Sequence, residues 1–202
     1  MLEGACYFPE GEGVFPAVVL CHPHPLYGGS MDNNVILALG AALITNSIIA
    51  FMFNFRGVGG SQGKFGDGIN EQKDVTAAIN WIVSQPEVDV NKVGLVGYSF
   101  GAFVSLPVAC DDKRIKAMAL ISPPLEPSHI SKLKDCAKPK FIVSGSEDVF
   151  VPPDQVELLN RKLSGPKQFE LISGADHFWW GYELTIAEKI ADFFSPLFQP
   201  HP

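Results

Sequence analysis

Three side chains in this chain could together break an acyl bond. Ser99 lies in Gly97-Tyr98-Ser99-Phe100-Gly101, between the apolar stretch Val93-Gly94-Leu95-Val96 and the helix-like Ala102-Phe103-Val104-Ser105-Leu106. G-x-S-x-G between a strand and a helix is the setting of a nucleophile elbow. Such a turn lifts the serine clear of the sheet in a backbone conformation that costs about 1–3 kcal/mol. The flanking glycines let strand and helix approach without a Cβ clash. A pentapeptide this short also arises by chance, so the reading depends on its partners.

A serine hydroxyl is a poor nucleophile near neutral pH. It needs a base, and the base needs an orienting acid. Of the five histidines, His201 sits in a terminal Gln-Pro-His-Pro tail and His129 in the polar stretch Pro127-Ser128-His129-Ile130, which reads as a solvated loop or helix start. His22 and His24 precede the serine. His177, in Ser173-Gly174-Ala175-Asp176-His177-Phe178, follows the apolar run Phe169–Ile172 and is the candidate base. One known chain order for this chemistry is serine, acid, histidine. The acid is then expected after the intervening strand Phe141–Ser144, where Asp148 is the choice and Glu147 the adjacent rival. Asp176 is too close in sequence to His177 to reach its ring.

Acyl transfer also needs N–H donors for the tetrahedral oxyanion. One is expected from Phe100, the residue after the nucleophile. The other should come from the loop His22-Pro23-His24-Pro25-Leu26-Tyr27-Gly28-Gly29-Ser30 after the strand Ala17–Cys21. Pro23 and Pro25 have no N–H. His24 is favoured, with Tyr27 as runner-up. His22 and His24, two apart at a strand end, also raise a metal reading. No further cluster completes a first shell, so the expectation is no metal and no cofactor, with His22 pinning the loop by a hydrogen bond.

The pieces His22 to Asn33, Asn54-Phe55-Arg56-Gly57-Val58-Gly59-Gly60-Ser61, Gly97 to Gly101, the Asp148 loop and Asp176-His177-Phe178 resemble those of small, lidless bacterial α/β-hydrolases related to dienelactone hydrolases and short-chain serine esterases. The resemblance spans residues 17 to about 180. It implies carboxylic-ester hydrolysis without a cofactor and leaves the substrate open. Dienelactone hydrolases proper use a cysteine nucleophile, and here the position is Ser99, which argues against a dienelactone hydrolase in the strict sense. Thioester or small amide cleavage by the same triad is an alternative, as is a non-catalytic binding protein on the same scaffold.

The elements that must position these groups read as alternating strands and helices. Strands are expected near 4–8, 16–21, 48–54, 92–97, 116–121, 139–144 and 167–172, and helices near 31–45, 70–84, 100–110, 153–163 and 181–195. Val75, Ala78, Ile79, Ile82 and Val83 recur at helical spacing, with Asn70 placed to cap that helix. The other strands are continuous apolar runs, as for parallel strands covered on both faces. Together they predict an α/β fold: one domain over 1–202 with a doubly wound, mostly parallel sheet of about seven strands, helices on both faces and the site at the C-terminal strand ends. Only residues 123–139 separate two strands where cap domains insert, so no cap is expected and the site should be open. Tyr27, Leu125, Phe150, Phe178 and Trp179 are candidate substrate contacts, while Trp179 and Trp180 could instead be core or homodimer contacts. Arg56 should anchor loop backbone.

A chain of 202 residues with 47% hydrophobic content is large enough for a substantial core. Its net charge of −7 argues against nucleic-acid binding. The first residues lack a charged n-region and an apolar h-region, and the longest apolar stretch, Ile48 to Phe53, is too short to span a membrane. The four cysteines show no paired or zinc-like spacing. Reduced thiols, a cytoplasmic location and a small-molecule ester as partner are the resulting expectations.

Overall fold

Continuous apolar runs become strands buried on both faces. The computed structural model describes residues 1–124, 126–163 and 165–198, so Leu125 and His201 lie outside the described residues. The strands are β1 (Gly4–Tyr7), β2 (Phe15–Cys21), β3 (Ile49–Phe53), β4 (Val88–Tyr98), β5 (Ile115–Ile121), β6 (Lys140–Gly145) and β7 (Lys167–Ile172). The helices are α1 (Asn34–Thr45), α2 (Glu71–Ile82), α3 (Phe100–Asp111), α4 (Pro127–Asp135), α5 (Pro153–Lys162) and α6 (Glu183–Phe198). The seven strands form one sheet in the order β1-β3-β2-β4-β5-β6-β7, with β1 antiparallel to β3 and every other pair parallel.

The period-2 alternation of a strand sorts the core into two layers. In β2, Ala17, Val19 and Cys21 join Val75 and Ile79 of α2, Val104 of α3 and Leu133 of α4. Val18 and Leu20 join Val35, Leu39 and Leu43 of α1 and Ile186, Ile190 and Phe194 of α6 on the other face. This is a doubly wound α/β-hydrolase sheet, and the connection from β5 to β6 holds only the nine-residue α4, with no cap.

Several local expectations change. Helix α4 is not signalled by periodicity because it is largely polar, burying only His129 and Leu133. His129 is therefore not solvated: it is buried, with its ring 4.4 Å from that of Phe103. Asn70 occupies the N-cap position of α2 but makes no capping bond. The Glu71 carboxylate instead accepts the N–H groups of Gly66 and Gly68. Asn33 does cap α1, its side chain accepting the Val35 N–H at 3.0 Å. All four cysteines are free thiols.

Parallel register sets the geography of the site. Cys21 of β2 lies opposite Gly97 of β4, and Tyr98 lies opposite Ile121 of β5. The β2 loop, the serine turn and the end of β5 therefore emerge side by side. Gly145 of β6 pairs with Ile172 of β7, which brings the loops bearing Asp148 and His177 together on the adjoining edge. Ligands in open α/β sheets bind at these carboxyl ends.

Candidate active site

Ser99 sits at φ 53°, ψ −116°, immediately before the first residue of α3. Its N–H donates to the Ile121 carbonyl at 2.9 Å, which ties the strained turn to β5. The glycines on either side are required by close packing. A Cβ on Gly97 would lie 2.5 Å from the backbone of Ala102, and one on Gly101 would overlap the Cys21 carbonyl. The elbow is thus wedged between its own helix and the end of β2.

The Ser99 hydroxyl is 2.9 Å from His177 Nε2. His177 Nδ1 is 3.0 and 2.9 Å from the two oxygens of Asp148. An ionised carboxylate only accepts, so Nδ1 carries the proton and Nε2 is left to accept from the serine. Asp148 is buried, and burial pushes its pKa up. The bonds from His177 and from the Val151 N–H outweigh that and hold the carboxyl below its usual range. Its Oδ1 also accepts the Phe150 and Val151 N–H groups at 3.0 and 2.8 Å. Glu147, the rival acid, is exposed, and it is Asp148 that bonds to the imidazole. The three side chains form a Ser-His-Asp triad, the arrangement of an ester hydrolase.

The β2 loop is organised by its two histidines. His22 Nε2 accepts the Phe55 N–H at 3.0 Å, so Nδ1 bears the proton and donates to the Pro23 carbonyl at 2.7 Å. Burial pushes its pKa down to about 4. With both ring nitrogens engaged by backbone, His22 has no lone pair for a metal. Among the described residues no group of three or more His, Cys, Asp or Glu could hold an ion. The His24 side chain accepts the Leu26 N–H at 3.2 Å, and its ring lies against those of Tyr27, Phe65 and Phe100. The Tyr27 N–H donates to the His24 carbonyl and the Gly28 N–H to the Pro25 carbonyl. Leu26, Tyr27 and Gly28 are thus engaged inside the loop, whereas the His24 N–H is not among the donors of these turns. The Phe100 amide opens α3, where first-turn N–H groups have no intrahelical acceptor.

The segment 54–61 braces this loop. Asn54 accepts the Met31 N–H at 2.8 Å and donates to Glu3 at 2.7 Å. Arg56 does not anchor loop backbone. Its guanidinium makes a two-point pair with Asp74 of α2, at 2.9 and 2.6 Å, because a buried carboxylate satisfies both arms of the fork at once.

Phe150 and Phe178 are exposed and flank the catalytic imidazole, with ring centroids 5.1 and 5.9 Å from it. Tyr27 is exposed in the β2 loop, its ring against that of His24. Trp179 was expected among the substrate contacts, and the structure corrects this. It is 0% exposed, lies in the core under α6, and donates its indole N–H to Ser122 Oγ. Trp180 is the exposed member of the pair. The functional reading of the sequence missed Tyr98. The Tyr98 hydroxyl donates to the His177 carbonyl at 2.6 Å, and its place inside the pentapeptide was the available signal.

Comparison with known proteins agrees with this geometry. An uncharacterized protein of Rickettsia prowazekii is 37% identical over 187 residues, covering 88% of this chain and 78% of that protein. The structure of an alpha-beta serine hydrolase homologue from Coxiella burnetii matches with TM-score 0.85 at 35% identity, over 95% of this chain and 90% of that one. A Xanthomonas campestris serine hydrolase described as lacking a lid matches with TM-score 0.87 at 28% identity, over 100% and 91%. The model of the dienelactone hydrolase family matches residues 65–186. The chain belongs to the dienelactone hydrolase family, with serine in the nucleophile position.

Proposed function

We propose that this protein hydrolyses small carboxylic esters through an acyl-serine intermediate, with Ser99 as nucleophile, His177 as acid and base, and Asp148 as orienting acid. The unbroken hydrogen-bonded line from Ser99 Oγ through the His177 ring to Asp148 carries this reading. Ser99 Oγ attacks the ester carbonyl carbon as its proton passes to His177 Nε2. The carbonyl oxygen becomes an oxyanion, held by the N–H groups of Phe100 and His24. Collapse expels the alcohol, which takes the proton from His177. A water then attacks the acyl-serine, gives its proton to His177, and the acid leaves as Ser99 regains a proton.

A small substrate is favoured by the lack of a cap and by the exposed aromatic side chains near the site, Tyr27 in the β2 loop and Phe150 and Phe178 beside the imidazole. Free thiols at Cys6, Cys21, Cys110 and Cys136 fit a reducing, cytoplasmic setting. No helix among the described residues is long and apolar enough to cross a membrane.

Labelling by a fluorophosphonate, with hydrolysis of matched ester and thioester p-nitrophenyl or thiol-leaving substrates, tests the reading. Wild type should be labelled at Ser99 and turn over the esters. Absence of labelling would leave a binding protein on a hydrolase scaffold. Turnover confined to thioesters would move the substrate class and keep the triad.

A further inference from the structure

The residue before the nucleophile carries a hydroxyl that reaches the base from a separate strand. Tyr98 closes β4 and belongs to the core layer shared with α1 and α6, where it is 2% exposed. Its hydroxyl donates to the His177 carbonyl at 2.6 Å. The tyrosine ring and the imidazole lie side by side, with centroids 6.1 Å apart. A buried phenol needs a hydrogen-bond partner. Here that partner is the backbone of the base itself, 79 residues further along the chain.

The bond completes a restraint on one peptide unit. Asp176 Oδ1 accepts the Phe178 N–H at 2.9 Å and the Trp179 N–H at 3.0 Å. The peptide joining His177 to Phe178 is therefore held at both of its polar groups, its N–H by Asp176 and its C=O by Tyr98. Among the described residues no backbone N–H of a turn or loop donates to that carbonyl. A peptide unit is planar, so pinning its donor and its acceptor fixes ψ of His177 and the direction in which the imidazole leaves the chain. The flanking residues are tied as well. The Ala175 carbonyl accepts the Glu147 N–H, and the Trp179 carbonyl accepts the Tyr182 N–H, each at 2.9 Å.

Tyr98 and Ser99 are consecutive, and both are referred to the end of β5. Tyr98 pairs with Ile121 in register, and the Ser99 N–H donates to the Ile121 carbonyl. One strand end thus fixes the nucleophile by its backbone and the base by a side chain. The imidazole must meet Ser99 Oγ and both Asp148 oxygens within 3.0 Å at the same time, and a misplacement of about 1 Å in such a group can cost on the order of 10²-fold. Burial, and after it the charges of Asp148 and Asp176, pushes the Tyr98 pKa up. The hydroxyl therefore remains a donor wherever the triad works.

We propose that Tyr98 is a positioning residue for the catalytic base, its hydroxyl holding the His177 backbone in place relative to Ser99. The proposal rests on the triad reading above and deepens it. Loss of the hydroxyl should slow the steps in which His177 takes or returns a proton and leave substrate binding alone.

Tyr98→Phe, which keeps the ring and removes the hydroxyl, tests this in wild type and in His177→Ala. In wild type, kcat and kcat/KM should fall together by roughly three- to tenfold, the scale of one neutral hydrogen bond, with KM little changed. Labelling of Ser99 by a fluorophosphonate should slow by the same factor. Rates are counted per serine finally labelled, so a partly unfolded sample cannot imitate the effect. A triad that has lost one member keeps a slow hydrolysis supported by its oxyanion donors. In His177→Ala, Tyr98→Phe should add no loss to that residual rate, since no imidazole is left to position. A kcat in Tyr98→Phe within about twofold of wild type overturns the proposal even if the melting temperature drops, because the hydroxyl then serves the fold alone. A Tyr98→Phe protein that does not fold overturns it for the same reason. An effect on KM alone overturns it, as does an equal additional loss in His177→Ala, which would place the effect on the serine turn. Failure of the wild type to label at Ser99 would remove the triad reading itself, a result distinct from labelling that is indifferent to Tyr98.

Discussion

His22 and His177 each follow a strand of the same sheet, and their surroundings give them opposite properties. His22 after β2 has its ring nitrogens on the Pro23 carbonyl and the Phe55 N–H. Protonation of Nε2 would set N–H against N–H in a buried place, and the ring is held neutral with a pKa near 4. His177 after β7 has a carboxylate on one nitrogen and a hydroxyl on the other. The carboxylate compensates a positive ring, and the hydroxyl is the source of the proton. Histidine at a strand end therefore says little about role. Whether its partners can follow a change of charge decides between a pin and a base.

The sharpest break in that comparison is in turnover. Ser99→Ala and His177→Gln should abolish ester hydrolysis with the fold retained, and Asp148→Asn should lower kcat by up to ~10⁴. His22→Gln should leave the chemistry in place. A comparable loss of turnover in a well-folded His22→Gln protein would mean that the β2 histidine takes part after all.

The second break is in stability against pH, and its sign is fixed. The folded pKa of His22 lies below the unfolded value of 6.5, so the unfolded chain binds the extra proton. Its contribution is intact above about pH 6.5 and is lost as pH falls toward 4, by roughly 3 kcal/mol in all. Urea unfolding of wild type and His22→Gln across that window should show the difference narrowing as pH drops. Parallel stability curves would mean that His22 is not held neutral.

Much of this site was legible in the chain because each triad member follows a strand, and parallel register brings the loops after neighbouring strands together. What escaped reading depends on contacts between elements. Trp179 looks like a rim aromatic next to Phe178, yet the turn at Asp176 sends it inward to Ser122. His129 lies in a polar stretch, yet it packs against the Phe103 ring of α3 and is buried. Arg56 has no local clue that Asp74 is its partner. Asn70 has the right type and place for a cap but loses to Glu71, whose longer side chain reaches two loop amides.

A smaller effect separates the exposed aromatics beside His177 from the one in the β2 loop. Across p-nitrophenyl esters, kcat/KM should peak at acyl chains of about two to six carbons and then level off, since a methylene that finds no wall gains almost none of its ~0.8 kcal/mol. Phe150→Ala and Phe178→Ala, beside the catalytic base, should shift that peak by a few-fold, and Tyr27→Ala in the β2 loop will show whether both sets hold the acyl group. Preference for chains of about twelve carbons or more would contradict a small, uncapped site. The smallest expected effect is that of chelation. With both His22 nitrogens occupied, EDTA should leave the rate unchanged, and recovery by added zinc after a loss would revive a metal role for the β2 loop.

The short β5–β6 connection has a consequence for the fate of the acyl group. Among the described residues no cap must swing open before a product departs, so turnover is expected to need no lid-opening step. Nothing described in the β5–β6 connection forms a cap that would screen the acyl-serine from water. An enclosed site can hold an alcohol or amine acceptor in place and exclude its competitor, and so transfer the acyl group. Here water is the acceptor by sheer abundance, and added alcohols should divert the acyl group only in proportion to their concentration. In this architecture the choice between hydrolase and transferase is made by what was left off the sheet.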